Sequence, residues 1–312
     1  MTKRRAADID IIEERSIYLI TVRDMLRHAM SQFARAGIAH GHGTNSAIDE
    51  AAFIILESLR LPVEDINPWL DARLLPDERR AILKLIEARI ETRKPAAYLL
   101  GHTYIQGVRL RADERALVPR SYIGELLFSE HFAGEAPLLA DPGSVESVLD
   151  LCTGSGSLAI LAALAFPQAR VDAVDVSGDA LALARLNVAD HSLKRRVHLK
   201  KGDLFAPVGK ARYDLIISNP PYVDEEGMAE LPEEYRHEPA LALDGGDQGI
   251  AIVRRILAEA AKHLEPGGGL LCEVGRCREA LETAYPGLDF LWIDTEESSG
   301  EVFWVTKEQL EG

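Results

Sequence analysis

The chain is short of cysteine, and this shortage excludes two kinds of protein. Its three cysteines, Cys152, Cys272 and Cys277, are too few for a disulfide scaffold and indicate a reducing compartment, which we expect to be the cytoplasm. None of them has the Cys-x-x-Cys or Cys/His spacing of a zinc site, so we predict no metal ion. We expect Cys272 and Cys277 to be small buried residues beside a strand.

Long apolar runs are also missing. No segment approaches the roughly 18 uncharged apolar residues that a membrane-spanning helix needs, although 47% of the residues are hydrophobic. The N-terminal charges Lys3, Arg4 and Arg5 are followed by neither an apolar stretch nor a small-residue cleavage site. We therefore expect a soluble protein without a secretion signal and without a membrane partner.

Positive charge is scarce. The chain has 35 Lys and Arg against 50 Asp and Glu, which gives a formal net charge of −15. Repulsion from phosphates disfavours direct, sequence-specific binding of nucleic acid and favours a basic protein or a small molecule as partner. A local basic patch can override this charge balance, and the oligomeric state is left open.

The length of 312 residues favours two domains, and the first hundred residues have the apolar periodicity of helices. One helix is predicted over residues 9–36, and in the Gly-rich loop after it we expect His40 and His42 to form a solvated turn. Capping-box spacing at residues 46–49 predicts a second helix, and Pro76 opens a third. The apolar positions of the first helix are Ile12, Ile17, Leu19, Ile20, Met25, Leu26, Met30 and Phe33.

After short strands at residues 104–118 and a loop at residues 129–144, strands and helices alternate. Strands joined by crossover helices predict an α/β fold with a mostly parallel sheet covered on both faces. Ligands bind such sheets at the carboxyl ends of the strands, so functional residues should follow the strands. The predicted strands are residues 145–151, 170–176, 197–201, 213–218, 269–274, 290–294 and 302–306, and the predicted helices are 158–166, 179–189 and 250–264.

A glycine-rich turn follows the first of these strands. The run Asp150-Leu-Cys-Thr-Gly154-Ser-Gly156-Ser-Leu-Ala159 is a G-x-G-x-x-A motif, whose glycines let the backbone turn sharply and approach a ligand. Asp175 ends the next strand, 21 residues after Gly154 (175 − 154), which is the spacing of an acidic residue that binds ribose hydroxyls. Together the two features predict an adenosine-type cofactor, without saying which one.

A second motif, Gly202-Asp203-Leu204-Phe205, follows the third strand. Asp203 can accept a hydrogen bond from the exocyclic amine of an adenine, and Leu204 can pack against the ring. Alternatively, Asp203 is a strand-end aspartate that caps a turn. Taken alone, the motif leaves both interpretations open.

A third motif, Asn219-Pro220-Pro221-Tyr222, directly follows the apolar strand 213–218. A planar amide or aryl amine is a poor nucleophile because its lone pair is delocalised. The Asn219 side-chain carbonyl and the Pro220 backbone carbonyl can hold its two N–H groups, which orients the lone pair toward a sulfonium methyl and stabilises the charge growing on nitrogen.

Proline rigidity would keep these carbonyls in place, and Tyr222 can pack against the planar group. A strand terminator needs only one proline and leaves Asn219 and Tyr222 unexplained. The motif therefore predicts methyl transfer to a planar nitrogen.

These motifs resemble the class I methyltransferases that act on planar nitrogen, and most closely the protein-(glutamine-N(5)) methyltransferases, over nearly the whole chain. The family's linker motifs are matched by Pro95-Ala-Ala-Tyr98-Leu-Leu-Gly101 and Leu117-Val-Pro119-Arg120-Ser121. The branch that acts on peptide-chain release factors usually carries Pro-Arg-Pro-Glu-Thr at residues 119–123. Residues 120–121, 123–125, 150–156 and 231–239 resemble instead the branch that methylates large-subunit ribosomal protein L-three.

The resemblance implies a Rossmann-like seven-stranded sheet with an N-terminal helical domain. Residues 1–102 would be a helical substrate-recognition domain, 103–130 a hairpin linker and 131–312 the methyltransferase domain. The implied S-adenosyl-L-methionine site consists of Cys152, Thr153, Gly154, Ser155, Gly156, Asp175, Asp203, Leu204 and Asn219. The implied glutamine site consists of Asn219, Pro220, Pro221 and Tyr222, of which Asn219, Pro220 and Tyr222 would be catalytic. Gln248 departs from the family's pattern and leaves the details of the loop 244–249 open.

The substrate prediction depends on acidic residues after the third motif, which are Asp224, Glu225, Glu226, Glu230, Glu233 and Glu234. This acidic rim would attract a basic ribosomal protein and repel phosphate, although an ordinary solvated loop has the same composition. We hypothesise that the N-terminal helices supply the rest of the recognition surface. Deletion of residues 1–90 would then abolish protein methylation and spare donor binding.

Three other functions compete with this prediction. Release-factor methylation requires the same chemistry and differs only in the linker and rim motifs. DNA adenine methylation requires a basic cleft and a target-recognition domain, which the acidic balance disfavours. A non-catalytic ribosome-assembly factor would not need the intact motif at residues 219–222.

Overall fold

The computed structural model describes residues 12–134 and 137–312 and divides into two compact units. The first unit consists of the described part of Met1–Gly101 together with the separate segment Pro232–His237. The second unit consists of His102–Leu231 and Glu238–Gly312. Within the described ranges, no helix is long and apolar enough to cross a membrane.

The first unit is helical. Residues 12–18 are helical, and four further helices follow: α1 Val22–Ala36, α2 Ala47–Leu59, α3 Pro76–Thr92 and α4 Ala96–Leu100. Ser46 caps α2 by accepting a hydrogen bond from the backbone N–H of Asp49, and Pro76 occupies the first turn of α3, as the sequence predicts. The core includes Phe33, Ile54 and Ile86.

The predicted helix 9–36 is wrong in its middle, and residues 9–11 lie outside the described residues. The chain leaves the helix after residue 18, and α1 begins again behind Thr21. Thr21 and Asp24 form a capping box, in which each side chain accepts the backbone N–H of the other residue. In a continuous helix these N–H groups would donate to backbone carbonyls four residues earlier. As a result Ile17 and Ile20, predicted on the apolar face, are 64% and 39% exposed.

Pro232–His237 is anchored in the first unit by buried charges. Arg89 is fully buried, and its guanidinium contacts both Glu50 oxygens and the carbonyl oxygens of Ala39 and Arg93. The buried Glu234 carboxylate lies 3.7 Å from Arg89 and 3.2 Å from Arg93, and accepts the Ala39 N–H at 3.1 Å. These ion pairs replace the water that the charges lose on burial.

The predicted solvated turn at His40 and His42 is wrong. His42 is only 5% exposed, and its ring lies 4.2 Å from the ring of Tyr235, centroid to centroid. The Nδ1 atom of His40 lies 2.8 Å from the buried Glu50 carboxylate. Tyr235 comes from a segment almost two hundred residues away, which the local composition of the loop does not indicate.

The second unit contains a hairpin, β1 His102–Ile105 with β2 Val108–Arg111, and a seven-stranded sheet of order β5-β4-β3-β6-β7-β9-β8. All neighbouring pairs from β5 to β7 are parallel, and β9 runs antiparallel to β7 and β8. The strands are β3 Ser147–Leu151, β4 Arg170–Asp175, β5 Val197–Lys201, β6 Tyr213–Ser218, β7 Leu264–Glu273, β8 Leu291–Ile293 and β9 Val302–Thr306.

Helices and apolar side chains cover both faces of this sheet. Two separate cores form, one around Leu158 and Ile217 and the other around Ile216 and Ile256. Cys272 and Cys277 are buried, which confirms their predicted place. The helices are α5 Ile123–Leu126, α6 Glu130–Ala133, α7 Ser157–Ala165, α8 Gly178–Asp190, α9 Glu225–Glu230, α10 Ala251–Ala260, α11 Arg278–Ala284 and α12 Lys307–Glu311.

Candidate active site

The strand register brings the ends of four strands into one row. The last paired row consists of Val174 on β4, Leu151 on β3, Ser218 on β6 and Cys272 on β7. The next residues therefore emerge side by side at the carboxyl edge, and they include Asp175, Asn219 and Glu273. This edge is where ligands bind open α/β sheets.

A cavity opens at this edge of the second unit. Seven of the predicted site residues line it, namely Cys152, Gly154, Asp175, Asp203, Leu204, Asn219 and Pro221. Further lining residues, which the sequence did not single out as site residues, are Arg115, Ala116, Leu117, Val174, Val176, Ser177, Ala180, Gly202, Pro239, Leu241, Ala242, Asp244 and Ile252. Three of them lie in segments that the resemblance singled out, namely Leu117 in the linker motif, Pro239 in the segment 231–239 and Asp244 in the loop 244–249, and these segments were the signal that could have found them.

The glycine-rich turn and Asp175 form one wall of the cavity. Gly154 has φ +56°, and no atom lies within 4 Å of where its Cβ would be, so the backbone faces open space. Each Asp175 oxygen accepts one backbone N–H, from Gly154 and from Ser177, both at 2.8 Å. Burial raises the pKa of Asp175, and the backbone hydrogen bonds oppose this rise. Each oxygen keeps one lone pair for a diol.

Thr153, Ser155 and Gly156 support this wall from behind and do not line the cavity. The Thr153 hydroxyl donates to the buried Asp150, and the Ser155 carbonyl accepts a hydrogen bond from Asn187 at 2.9 Å. Gly156 packs closely on α8, where an added Cβ would lie 3.1 Å from that of Ala184. These three residues, predicted in the donor site, shape the turn and lie outside the lining of the cavity.

Asp203 and Leu204, which follow the neighbouring strand β5, also line the cavity. Leu204 is buried and Asp203 is exposed, with one carboxylate oxygen 2.6 Å from the Arg255 guanidinium. The second oxygen of Asp203 remains available to accept from a ligand. Ile252 also lines the cavity and packs against the same apolar cluster as Leu204, so this part combines apolar surface with an acceptor.

The side-chain amide of Asn219 is oriented by the linker. Its Nδ2 donates to the backbone carbonyl of Arg120 at 3.2 Å, and Asn219 lines the cavity. This hydrogen bond leaves the Oδ1 of Asn219 available to accept from a ligand. Arg120 is itself held by a two-pronged ion pair with the buried Glu238, at 2.7 and 2.8 Å. Glu238 also accepts the Val118 N–H at 2.9 Å. A bidentate Arg–carboxylate pair fixes geometry as well as charge.

Tyr222 and Pro220 do not line the cavity. The Tyr222 hydroxyl donates to Glu273 at 3.0 Å, and its ring packs so closely on Gly275 that an added Cβ would lie 2.6 Å away. Pro220, the residue before Pro221 in the chain, is buried. Burial and the neighbouring Glu273 raise the pKa of Tyr222 well above its ordinary value, so its hydroxyl stays protonated.

The acidic rim is less acidic than its sequence suggests. Asp224 caps α9 and is paired with the Arg276 guanidinium, and Glu234 is buried in the first unit. Glu225, Glu226 and two other carboxylates of the group are exposed, the two others being Glu230 and Glu233.

A glycine-rich turn, a ribose-compatible carboxylate and an oriented amide at the carboxyl edge of this sheet define a Rossmann-like methyltransferase. The family described as "Methyltransferase small domain" matches residues 134–233. The predicted fold class is confirmed.

Curated relatives specify the family. The ribosomal protein uL3 glutamine methyltransferase of Bradyrhizobium diazoefficiens is 53% identical over 296 residues, covering 94% of this chain and 92% of that protein. Its counterpart from Bordetella pertussis is 51% identical over 292 residues, covering 94% of this chain and 97% of that protein. The chain therefore belongs to the family of ribosomal protein uL3 glutamine methyltransferases. Among solved structures, a methyltransferase from Pyrococcus furiosus is 20% identical with a TM-score of 0.47, covering 65% of this chain and 90% of that one.

Proposed function

We propose that this enzyme transfers the methyl group of S-adenosyl-L-methionine to the side-chain amide nitrogen of a glutamine in ribosomal protein uL3. The observation that carries the proposal is the Asn219 amide, which lines the cavity and donates from its nitrogen to the Arg120 carbonyl, so that its oxygen is left to accept from a substrate. The names of the relatives supply the protein substrate. We infer a cytoplasmic enzyme, since ribosomal proteins are made there.

The wall residues fit the donor. The free lone pairs of Asp175 would accept the two ribose hydroxyls, and the open backbone at Gly154 leaves room beside them. Leu204 and Ile252 would pack on the adenine, with Asp203 accepting from its amine. When bound, the donor supplies the electrophilic methyl group, and the chain supplies alignment and electrostatics.

The acceptor chemistry rests on two carbonyl oxygens. The Oδ1 of Asn219 would accept one N–H group of the glutamine amide. The main-chain oxygen of Pro220, a residue that lies outside the cavity lining and directly follows Asn219, would accept the other. Held in this way, the nitrogen presents its lone pair to the methyl group, and the oxygens stabilise its growing positive charge. The nitrogen gains the methyl group and afterwards loses a proton to water, so no general base is needed.

Recognition of the protein would use charge and the helical unit. The exposed carboxylates on α9, Glu225 and Glu226 among them, follow the acceptor motif directly in the chain. They would attract a Lys/Arg-rich ribosomal protein and repel phosphate. We propose that the first unit supplies the remaining recognition surface and that no direct, sequence-specific nucleic-acid contact is needed.

The test is a substrate comparison with labelled donor. Purified enzyme is incubated with isolated uL3, with a peptide-chain release factor and with adenine-containing DNA, and the modified residue is identified by mass spectrometry. We expect label in uL3 alone, on a single glutamine, and none when that glutamine is changed to leucine. Preferential labelling of the release factor or of DNA would overturn the substrate assignment, and donor binding without any transfer would indicate a non-catalytic role.

A further inference from the structure

Glu273 is a buried carboxylate that the transfer chemistry does not use. It ends β7 in the row that also contains Asn219, and it is 2% exposed. Its oxygens accept three hydrogen bonds, from the Ser121 hydroxyl at 2.6 Å, the Tyr122 N–H at 3.1 Å and the Tyr222 hydroxyl at 3.0 Å. All three donors are neutral groups.

Burying a carboxylate among neutral partners is unfavourable, because its charge loses the surrounding water and gains no opposite charge. Burial raises the pKa of Glu273 to about 7, which reflects the loss of water around its charge. The preceding strand residues Leu271 and Cys272 are fully buried and apolar, so packing at the end of β7 could be achieved without a charge. The contribution of Glu273 therefore lies in the hydrogen bonds that it accepts.

These hydrogen bonds close a ring around the catalytic amide. On one side, Glu273 holds Ser121, whose neighbour Arg120 offers the carbonyl that orients Asn219. On the other side, Glu273 holds Tyr222, three residues after Asn219 in the same loop. The linker and the loop 219–222 therefore meet at the Glu273 carboxylate. The linker reaches Asn219 through the Arg120 carbonyl, and Tyr222 reaches it through the backbone of the loop.

We propose that Glu273 is a positioning residue for methyl transfer, which fixes the Asn219 oxygen at the cavity by tying Tyr222 to the linker. This inference rests on the proposed function, because it concerns the same acceptor oxygen. It also gives Tyr222 a role through its hydroxyl, as the link between loop and sheet. Asp175, which accepts from Gly154 and Ser177, lies outside this ring, so donor binding should change little when the ring is broken.

The experiment compares Glu273→Ala and Glu273→Gln with the matched control Glu265→Ala, which changes a glutamate at the opposite end of the same strand. Loss of the carboxylate should lower kcat about a hundredfold, since misplacement by about 1 Å has this effect. The donor Kd by calorimetry and the KM for uL3 should stay within about threefold, well below that effect. Glutamine can still accept from Ser121 and donate to Tyr222, so it should bring kcat back to within about tenfold of wild type.

A double-mutant cycle tests the path through Tyr222. Tyr222→Phe alone should lower kcat about three- to tenfold, which corresponds to the net free energy of one hydrogen bond. In the Glu273→Ala background it should change kcat less than about twofold, because the partner is already gone. Wild-type kcat in Glu273→Ala, a parallel loss of donor binding, or an undiminished effect of Tyr222→Phe in that background would each overturn the proposal.

Two further measurements keep the outcome unambiguous. If Glu273→Ala does not fold, Ser121→Ala and Tyr222→Phe carry the test, and wild-type kcat in both refutes it. Amide hydrogen exchange of the segment 219–231 should rise in the Glu273 and Tyr222 variants and not in the Glu265 control. Exchange needs no substrate, so it still tests the positioning role if wild-type enzyme fails to methylate uL3, which would refute only the proposed function.

Discussion

Replacing Glu50 by leucine should strongly destabilise the helical unit. The side chains of Arg89 and Glu50 are 0% and 3% exposed, and the substitution removes both carboxylate oxygens that the guanidinium contacts. The remaining counter-ion, Glu234, is 3.7 Å away and is shared with Arg93. An unpaired buried charge of this kind costs about 3–5 kcal/mol.

That free energy is a large part of the 5–15 kcal/mol typical of a folded protein. With a urea dependence of about 2 kcal/mol per molar, the midpoint of the helical unit should fall by roughly 2 M. Urea unfolding followed by circular dichroism at 222 nm measures this shift, and the slope must be compared as well, since two units need not unfold together.

The matched variant is Glu50→Leu combined with Arg89→Met, which replaces the pair by apolar side chains of similar length. Glu234 then keeps Arg93 as its partner at 3.2 Å. Such replacements are often neutral or stabilising, so the double variant should regain most of the lost stability. A shift below about 1 kcal/mol in the single variant, or a double variant no better than it, would refute the reasoning.

Three further predictions concern the site. Asn219→Ala should lower kcat about a hundredfold with little change in the donor Kd, as measured by single-turnover kinetics and calorimetry, and unchanged turnover would contradict the mechanism. Asp175→Asn should weaken donor binding about ten- to a hundredfold, the worth of a charge-assisted hydrogen bond, whereas an unaltered Kd would remove Asp175 from the donor site. Glu225→Gln with Glu226→Gln should raise the KM for uL3 more at low salt than at high salt. The matched control is Glu308→Gln with Glu311→Gln. An equal rise in the KM for uL3 in this control would contradict the role of the acidic rim in substrate recognition.

The sheet could be predicted because its strands carry their own signal. Strands that are buried on both faces appear as short apolar runs, and the predicted strands 213–218 and 302–306 have the same bounds in the structure. The predicted strand 197–201, at the edge of the sheet, also has the same bounds. The break at Thr21 was not predicted, because a local capping box overrode an apolar period that continued through it.

Support of the site was harder to predict, because it depends on contacts between distant parts of the chain. Arg120 meets Glu238 across 118 positions and Ser121 meets Glu273 across 152. Periodicity describes only the neighbourhood of a residue, and a lone glutamate at the end of an apolar strand has no local pattern. Motifs at residues 150–156 and 219–222 predict where a ligand would bind, whereas the groups that hold these motifs in place are visible only in the folded chain.

The helical unit is completed by six residues, Pro232–His237, that are encoded in the middle of the catalytic sequence. Neither unit is therefore encoded by one continuous stretch of the sequence. A fragment ending near residue 90 or 101 would lack Glu234, and the rest of the protein would keep that carboxylate without Arg89. Exchange of the N-terminal segment between relatives, or its fusion to another protein, should succeed only when Pro232–His237 is transferred as well. We therefore expect the N-terminal segment and Pro232–His237 to have evolved together.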